Sequence, residues 1–237
     1  MKTALVTGAN KGIGFETAKQ LAQLNYFVYL GSRDKTNGEN AVKKLNALGI
    51  VNVELIEIDT TDIHSIEQAK EKLENKIDAL DVLVNNAGIA GTAPQNVSIV
   101  EMDNLRKIFE TNFFGVVQTT QQFIPLLEKS TTPRIVNVSS SLASLALHSA
   151  GKANPIYDAY SASKTALNAF TVLLAKEFGN SNFKINSIAP GYTATDLNQF
   201  KGTQTAEQAA EIIVKYATLN NEGPTGKYLD KNGEVAW

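Results

Sequence analysis

Short apolar segments alternate with longer amphipathic ones along the chain, and this alternation restricts the possible folds more than any other feature. The apolar segments are rich in valine and isoleucine, which is typical of buried β-strands. The longer segments have apolar residues at helical spacing. The predicted strands are 3–7, 26–30, 53–58, 81–85, 134–139, 184–190 and 227–230, and the predicted helices are 12–24, 38–48, 63–76, 101–128, 157–178 and 205–219.

Repeated strand–helix units need right-handed crossovers, so they favour a parallel sheet with helices on both faces. The chain has 237 residues, 43 % of them apolar, which is enough for one large core. No repeat, linker or low-complexity segment divides it. We therefore predict an α/β fold with a single domain over residues 1–237, built on a doubly wound sheet of about seven strands. Ligands of such sheets bind at the carboxyl ends of the strands.

The composition excludes several classes of function. A formal charge of −2 provides no basic surface, so we do not expect a nucleic-acid partner. The chain has no cysteine, which excludes disulfides and thiolate chemistry, and its two histidines, His64 and His148, lie far apart, so no metal site is expected. No apolar run reaches membrane-spanning length and no charged leader precedes the first strand. We therefore expect a cytoplasmic protein without a membrane partner.

A glycine-rich turn, "LVTGANKGIG", joins the first predicted strand to the first predicted helix. Glycine is needed where φ is positive or where the backbone approaches a ligand closely. The free N–H groups and the dipole at the start of the helix favour a pyrophosphate. The spacing is G-x-x-x-G-x-G instead of the common G-x-G-x-x-G, so the position of the turn carries more weight than its pattern.

Six motifs in order extend this picture over almost the whole chain. They are T-G-x-x-x-G-x-G, "NNAG" (85–88), "TNFFG" (111–115), "IVNVSS" (135–140), Tyr160-x-x-x-Lys164 and "PGYTATD" (190–196). In these motifs the chain resembles the short-chain dehydrogenases/reductases, and in "TGANKGIG", "SRD" and "TNFFG" it is most similar to the NADPH-dependent carbonyl reductases. The resemblance implies a Rossmann-type fold, a nicotinamide cofactor and a small carbonyl or alcohol substrate.

The cofactor type depends on the residues at the end of the second strand. Asp34 lies near the spacing of a ribose-binding acid, so counting alone leaves NAD open. However, the strand is predicted to end at Gly31, which makes Ser32 the first residue facing the ribose and moves Asp34 into the next helix start. Arg33 and Lys11 are then either partners of a 2′-phosphate or solvated charges. By resemblance, Asn10, Lys11, Ser32 and Arg33 match an NADP-preferring pattern, so we predict NADP(H).

The resemblance assigns further positions to cofactor binding. Asp59 and Thr60 match residues that hold the adenine, and Asn86 matches a residue beside the cofactor, although an asparagine there can also join neighbouring strands through backbone bonds. The cofactor-binding residues predicted in addition to those at the second strand are Gly8, Gly12, Ile13, Gly14, Asp59, Thr60, Asn86, Ala87, Gly88, Tyr160, Lys164, Pro190, Gly191, Thr193 and Thr195.

Two tyrosines compete for the role of proton donor in "YDAYSASK". Pro155 disfavours helix before it, so we predict a helix that begins near Tyr157. Tyr160 and Lys164 are then i and i+4 on one face, whereas Tyr157 lies roughly 10 Å along the axis from Lys164. A tyrosine with a pKa near ~10 is a poor acid–base group at neutral pH. The Lys164 ammonium and an oxidised nicotinamide would lower the pKa of Tyr160.

By resemblance, three more side chains complete the site. Ser140 is expected to bind the substrate oxygen, with Ser139 as the second candidate, although a strand directs Ser139 to the opposite face. Asn112 is expected to hold a water in a proton relay to Lys164. We predict reduction of a ketone or aldehyde to the alcohol by Tyr160, Ser140, Lys164 and Asn112 with NADPH.

Two other functions stay open from the sequence, as does the assembly. One is a nucleotide-binding redox sensor without turnover, and the other is an enzyme for a specific alcohol or an acyl-linked ketone. The segment between Ser140 and Tyr160 is expected to form a pocket wall, and residues 192–206 a mobile lid. The resemblance implies a homodimer or homotetramer formed through the helices at 101–128 and 157–178, with a monomer possible.

Overall fold

The computed structural model describes residues 1–152 and 157–237, and it places one eight-stranded sheet at the centre of the molecule. The strand order is β3-β2-β1-β4-β5-β6-β7-β8, and every neighbouring pair is parallel except β7 and β8. The strands are β1 (Thr3–Val6), β2 (Phe27–Ser32), β3 (Val53–Glu57), β4 (Val82–Asn85), β5 (Arg134–Val138), β6 (Lys184–Ile188), β7 (Tyr228–Asp230) and β8 (Gly233–Glu234).

Eight α-helices connect these strands in the described part of the chain. They are α1 (Gly12–Gln23), α2 (Lys35–Ala47), α3 (Ile63–Glu74), α4 (Met102–Phe109), α5 (Gly115–Leu127), α6 (Leu145–Ser149), α7 (Asp158–Glu177) and α8 (Ala206–Ala217). One apolar core contains buried residues of α1, α2 and α8, and a second contains those of α3, α5 and α7. The two cores lie on opposite faces of the sheet because the side chains of β1 alternate between them. The predicted doubly wound α/β fold is confirmed.

The largest differences from the sequence prediction concern three elements. The eighth strand, β8, forms a short hairpin with β7 that the sequence did not indicate. The helix predicted over 101–128 consists of α4, a π-helical turn at Glu110–Phe114, and α5. Helix α2 begins three residues earlier than predicted because Asp34 caps it.

The strand order reverses between β1 and β4, and this reversal determines where a ligand can enter. The connection after β1 leads to β2 on one side, whereas β4, the neighbour on the other side, continues in the opposite direction along the sheet. The loops at the carboxyl ends of β1 and β4 therefore separate and leave a crevice. Thr7, Arg33, Asn86, Ser139 and Ala189 directly follow five neighbouring parallel strands at this edge. The glycine turn and most other predicted site residues therefore meet at the crevice.

Among the helices that the structure describes, none has both the length and the hydropathy needed to cross a membrane.

Candidate active site

The glycine turn between β1 and α1 is closely packed. Gly8 and Gly12 have φ values of +61° and +59°, which favour glycine. A Cβ atom on Gly14 would lie 2.4 Å from Asn86 Nδ2 and 2.6 Å from the Gly8 carbonyl oxygen, so no larger residue fits without a shift. No side chain caps the first turn of α1, and that turn contains no acidic residue. Its amide groups therefore fit a dinucleotide pyrophosphate.

The "NNAG" segment after β4 holds this turn in place. Asn86 Nδ2 donates to the carbonyl oxygens of Thr7 at 2.8 Å and Gly8 at 3.1 Å. Thr7 Oγ1 accepts from the backbone N–H groups of Asn86 at 3.0 Å and Ala87 at 3.1 Å. Ala87 also packs against Gly8, where an added Cβ would come within 2.9 Å of its Cα. The Asn86 side chain thus joins two neighbouring strand ends, which is the structural role left open by the sequence.

At the end of β2, the Asp34 carboxylate and the Arg33 guanidinium have different environments. The Asp34 carboxylate accepts from the Asn37 N–H at 2.7 Å and caps α2, so Asp34 lies at the helix start, as the sequence predicted. Ser32 is buried, and its hydroxyl donates to the Asp34 carbonyl oxygen at 2.8 Å. Arg33 is exposed. Because the Asp34 carboxylate is engaged at the helix start, Arg33 is the charged side chain that can turn toward a ribose phosphate.

An open cleft of about 590 Å³ lies between the glycine turn and α2. Lys11 is at its edge, and its Nζ lies 3.3 Å from Asp196 Oδ2 in an exposed ion pair. The lining contains three lysines and no carboxylate, which suits a phosphate group. The lining residues are Asn10, Lys11, Asn37, Asn40, Ala41, Lys43, Lys44 and Ala47.

Asp59 and Thr60 follow β3 at the same edge of the sheet. Asp59 Oδ1 accepts from the backbone N–H of Thr61 at 2.9 Å and from its hydroxyl at 2.7 Å. The Asp59 N–H donates to Ser65 Oγ at 2.9 Å, and the buried Thr60 packs its carbonyl against Gly115. The carboxylate of Asp59 is thereby held in one orientation.

Tyr160 and Lys164 lie on the first turns of α7, which begins at Asp158 after an N-cap at Tyr157. The predicted helix start is confirmed, whereas Pro155, on which that prediction rested, lies outside the described residues. Lys164 is 4 % exposed, and its Nζ donates to the Val138 carbonyl oxygen at 2.7 Å. The same Nζ lies 5.9 Å from the centre of the Tyr160 ring. The pair is stacked as the i, i+4 spacing predicts.

Burial affects the protonation of both groups. It raises the pKa of Tyr160 to about 12, although an interaction with the Ser140 hydroxyl acts in the opposite direction. It lowers the pKa of Lys164 to about 8. For the protein chain by itself, the direction at Tyr160 is opposite to the one predicted beside Lys164 and an oxidised nicotinamide. The reason is that removal from water disfavours the phenolate and the ammonium alike.

The two serines after β5 have different surroundings. Ser139 Oγ donates to Asn168 Oδ1 at 2.7 Å inside the protein. Ser140 Oγ accepts from the Leu142 N–H at 3.2 Å, and its hydroxyl is close enough to Tyr160 to favour the phenolate and so to oppose the effect of burial on the Tyr160 pKa. The structure therefore brings together Ser140 and Tyr160, and it separates Ser139 from them.

Asn112 is fully buried in the π-helical turn between α4 and α5. Its Oδ1 accepts from the Ile89 N–H at 2.9 Å, and its Nδ2 donates to the Ile89 carbonyl at 3.0 Å and to Ser163 Oγ at 3.0 Å. A Cβ on Gly88 would lie 3.3 Å from Asn112 Oδ1 and 3.5 Å from Lys164 Nζ. Asn112, Gly88 and Lys164 thus meet at one point.

The loop after β6 reaches across to the glycine turn. Gly191 has a φ of +93°, and Thr193 Oγ1 donates to its carbonyl oxygen at 3.0 Å. Gln204 Nε2 donates to Thr193 Oγ1 at 3.1 Å and also to the Pro190 carbonyl. The Thr195 side chain lies next to Gly12, 3.6 Å from where a Cβ would stand. The structure therefore places Thr195 beside the glycine turn, and Pro190, Gly191 and Thr193 form the preceding part of the same loop.

The sequence missed two buried groups that contact these residues. Gln95 is 1 % exposed, accepts from the Tyr160 N–H at 3.0 Å and donates to the Ala90 carbonyl at 2.7 Å. The Tyr228 hydroxyl donates to the main-chain carbonyl of Ser140. No local pattern marks either residue, since both contacts join segments distant in sequence. His148 lies on α6, and its Nε2 is 2.8 Å from the Leu142 carbonyl oxygen.

The fold and the site together define a nucleotide-binding oxidoreductase. A glycine turn at a helix start and the side chains of a tyrosine, a lysine and a serine lie along the carboxyl edge of one parallel sheet. Residues 2–206 match the family described as "short chain dehydrogenase". The chain belongs to this family, whose members bind nicotinamide cofactors, and it is carbonyl-reductase-like.

Individual relatives agree with this assignment. The chain is 33 % identical to (+)-neomenthol dehydrogenase of Capsicum annuum, with 95 % of this chain and 94 % of that protein covered. The structure of salutaridine reductase from Papaver somniferum superposes with a TM-score of 0.85 at 31 % identity, covering 96 % and 99 %. A 3-ketoacyl-(acyl-carrier-protein) reductase from Brucella melitensis complexed with NADH gives a TM-score of 0.85 at 27 % identity, covering 97 % and 96 %.

Proposed function

We propose that this protein reduces a ketone or an aldehyde to the alcohol with NADPH, reversibly, and that Tyr160 is the general acid and base. The observation that carries this proposal is the meeting of Tyr160, Lys164 and Ser140 at the crevice beside the glycine turn. The similarity to a neomenthol dehydrogenase and to a salutaridine reductase supports chemistry between an alcohol and a carbonyl group.

The bound nicotinamide would supply the hydride for the carbonyl carbon. The chain's own task is to hold the carbonyl oxygen and to deliver one proton to it. With a pKa raised by burial to about 12, Tyr160 is protonated at neutral pH and can donate that proton. The Ser140 hydroxyl would donate a hydrogen bond to the same oxygen. Lys164, held by Val138, would favour the phenolate left behind, and Asn112 would connect it to solvent through a water.

NADPH is preferred in this proposal because of the charges around the predicted ribose site. The Asp34 carboxylate caps α2 through Oδ1, which directs it toward the helix start and away from the role of a dedicated ribose acceptor in this proposal. Arg33 and Lys11 offer positive charge at the same edge, beside a cleft without carboxylates. Such an arrangement attracts a 2′-phosphate and provides little for the bare ribose of NADH.

The substrate is proposed to be a free, uncharged carbonyl compound. Residues 85–100, 135–151 and 185–195, which run from β4, β5 and β6 into the loops beside the crevice, contain no Asp, Glu, Lys or Arg. An anionic substrate would lose water there without gaining a counter-ion, which is costly. This disfavours an acyl-carrier-linked ketone. The intact Tyr160–Lys164 pair disfavours a sensor without turnover.

Self-association, a cytoplasmic location and a single domain over 1–237 stay predictions. Leu173 on α7 and Phe114 beside α5 are exposed apolar side chains on the two helices expected to form a dimer interface. Light scattering on the purified protein, with Leu173→Glu as the variant, tests this expectation. A monomeric wild type would refute it.

The reaction is tested by the loss of NADPH absorbance with a panel of neutral ketones and aldehydes. Tyr160→Phe should reduce kcat at least a thousandfold, because general acid catalysis contributes about 10²–10⁴-fold and the substrate oxygen also loses its contact. Tyr157→Phe, at the N-cap of the same helix, is the matched control and should keep the wild-type rate. Tight NADPH binding without turnover on any carbonyl compound would favour the sensor.

Two comparisons test the finer parts of the proposal. Arg33→Ala should weaken NADPH binding about tenfold and leave NADH binding unchanged, whereas Arg106→Ala, on the exposed face of α4, should change neither. For the substrate, a neutral keto ester should be reduced at least tenfold more efficiently than the corresponding keto acid. Faster reduction of acyl-carrier-linked ketones than of free ones would contradict the proposed substrate class.

A further inference from the structure

Tyr228 is a buried tyrosine that the proposed reaction does not use. It lies on β7, is 0 % exposed, and donates its hydroxyl hydrogen to the main-chain carbonyl oxygen of Ser140. Burial raises the pKa of Tyr228, so the hydroxyl stays protonated and remains a donor. A phenylalanine would fill the same space, and a buried hydroxyl is costly unless it is hydrogen-bonded. The hydroxyl group therefore needs an explanation other than packing.

The residues beside this contact hold the same backbone from other directions. The Ser139 N–H donates to the Ile188 carbonyl of β6 at 2.7 Å. Ser139 Oγ donates to Asn168 Oδ1 at 2.7 Å, and Asn168 lies on α7 one turn after Lys164. The Ser139–Ser140 backbone is thus held by β6, α7 and β7, and Tyr228 provides the contact from β7.

Tyr228 is itself fixed by the segment that follows β8, residues 235–237. The rings of Tyr228 and Trp237 stack with centroids 5.5 Å apart and planes tilted by 30°. The Val235 N–H donates to the Tyr228 carbonyl at 2.8 Å. The segment also binds the loop after Ser140, because Ser144 Oγ donates to the Ala236 carbonyl at 2.6 Å. Because Tyr228 is held in this way, its side chain cannot move together with Ser140. Its hydrogen bond therefore restrains the Ser140 backbone.

We propose that Tyr228 is a positioning residue for Ser140: its hydroxyl fixes the Ser140 backbone so that the Ser140 hydroxyl faces Tyr160 and the substrate oxygen. This inference rests on the proposed carbonyl reduction. Tyr228 acts through Ser140 and touches neither substrate nor cofactor. The consequence is measurable, because the Ser140 hydroxyl lowers the pKa of Tyr160 against the effect of burial. A displaced Ser140 loses this influence, so loss of the Tyr228 hydroxyl should alter the titration of Tyr160.

The test compares wild type, Tyr228→Phe, Ser140→Ala and the double variant in alcohol oxidation, which needs the Tyr160 phenolate. Tyr228→Phe should lower kcat about tenfold and move the pKa of the kcat profile upward by roughly half a pH unit to one unit. The direction should match Ser140→Ala, and the double variant should resemble Ser140→Ala alone. KM for NADP should be unchanged. Tyr216→Phe, at another buried tyrosine on α8, is the matched control and should leave kcat and the profile unchanged.

Folding is monitored in the same samples, because Trp237 is the chain's single tryptophan and stacks on residue 228. Unchanged emission would show that residues 235–237 remain in place in Tyr228→Phe. Trp237→Leu, which changes a partly exposed side chain, is a second variant that loosens Tyr228 without altering its hydroxyl. It should move the kcat profile in the same direction by a smaller amount.

Three results would overturn the inference. The first is a Tyr228→Phe profile identical to that of Tyr216→Phe while wild type and Ser140→Ala behave as expected, which leaves the proposed function intact. The second is a full additional shift in the double variant, since Tyr228 would then act independently of Ser140. The third is no turnover by the wild type with any carbonyl or alcohol, which overturns the proposed function and this inference with it.

Discussion

Replacing Lys164 with methionine should change how the stability of the protein depends on pH. Lys164 is 4 % exposed and has the Val138 carbonyl as its hydrogen-bond acceptor. Burial lowers its pKa from 10.5 to about 8. Between these two values the unfolded chain binds a proton on Lys164 that the folded chain has lost. The free energy of unfolding therefore rises with pH in this window and is lowest, as far as Lys164 is concerned, below pH 8.

The size of the effect follows from the two pKa values. Each unit of difference between the two pKa values corresponds to about 1.4 kcal/mol. A charged Lys164 therefore lowers the free energy of unfolding by about 3 kcal/mol at low pH. Between pH 7 and pH 9, about 1 kcal/mol of this cost is relieved. Tyr160, with its pKa raised to about 12, is protonated in both states below pH 9 and adds nothing. Methionine at position 164 also removes the hydrogen bond to Val138, a loss of about 1 kcal/mol at every pH.

The assay is urea unfolding of the cofactor-free protein at pH 7, 8 and 9, for wild type and Lys164→Met. Other titrating groups cancel in the difference between the two proteins. As the pH rises from 7 to 9, we expect the free energy of unfolding of the wild type to increase by about 1 kcal/mol relative to that of Lys164→Met. Lys43→Met, at an exposed lysine of α2, is the control and should run parallel to wild type. A constant difference between wild type and Lys164→Met across this range would refute the argument that Lys164 is desolvated.

Three further variants test other contacts. Arg134→Met should lower the free energy of unfolding by about 2–4 kcal/mol in urea, because the buried guanidinium donates to four protein oxygens that lose their donor. Gly14→Ala should weaken NADPH binding at least tenfold in a fluorescence titration, since the added Cβ would clash with Asn86; unchanged affinity would contradict the close packing of the turn. Gln95→Met removes the acceptor of the Tyr160 N–H and should lower kcat several-fold at a stability cost of about 1–2 kcal/mol; a wild-type kcat would show that this contact does not orient α7.

Features that depend on a few neighbouring residues could be predicted from the sequence. Helix geometry places residues four apart on one face, so the choice of Tyr160 over Tyr157 needed only the spacing to Lys164. Glycine is required at positive φ, so the turn at Gly8 and Gly12 could be located without coordinates. Asp34 was correctly predicted to lie at the start of the next helix, where a short acid can bind a free N–H, although the helix begins earlier than predicted.

Local reasoning failed where distant segments meet. Gln95 contacts a residue 65 positions away, and Tyr228 contacts one 88 positions away. Neither residue belongs to a pattern with a period of two or 3.6, which is the signal that sequence analysis can use. The π-helical turn that separates α4 from α5 was also missed, although Asn112 inside it was identified by resemblance.

The sequence by itself determined the order of strands and helices, the edge of the sheet where the site lies, and the residue types available there. Backbone sterics and side-chain periodicity act over a few residues and are encoded locally. The tertiary structure decided that Ser139 faces Asn168 while Ser140 faces Tyr160, and that burial raises the pKa of Tyr160 and lowers that of Lys164. Desolvation and long-range hydrogen bonds arise only when separate elements pack around a group and remove it from water.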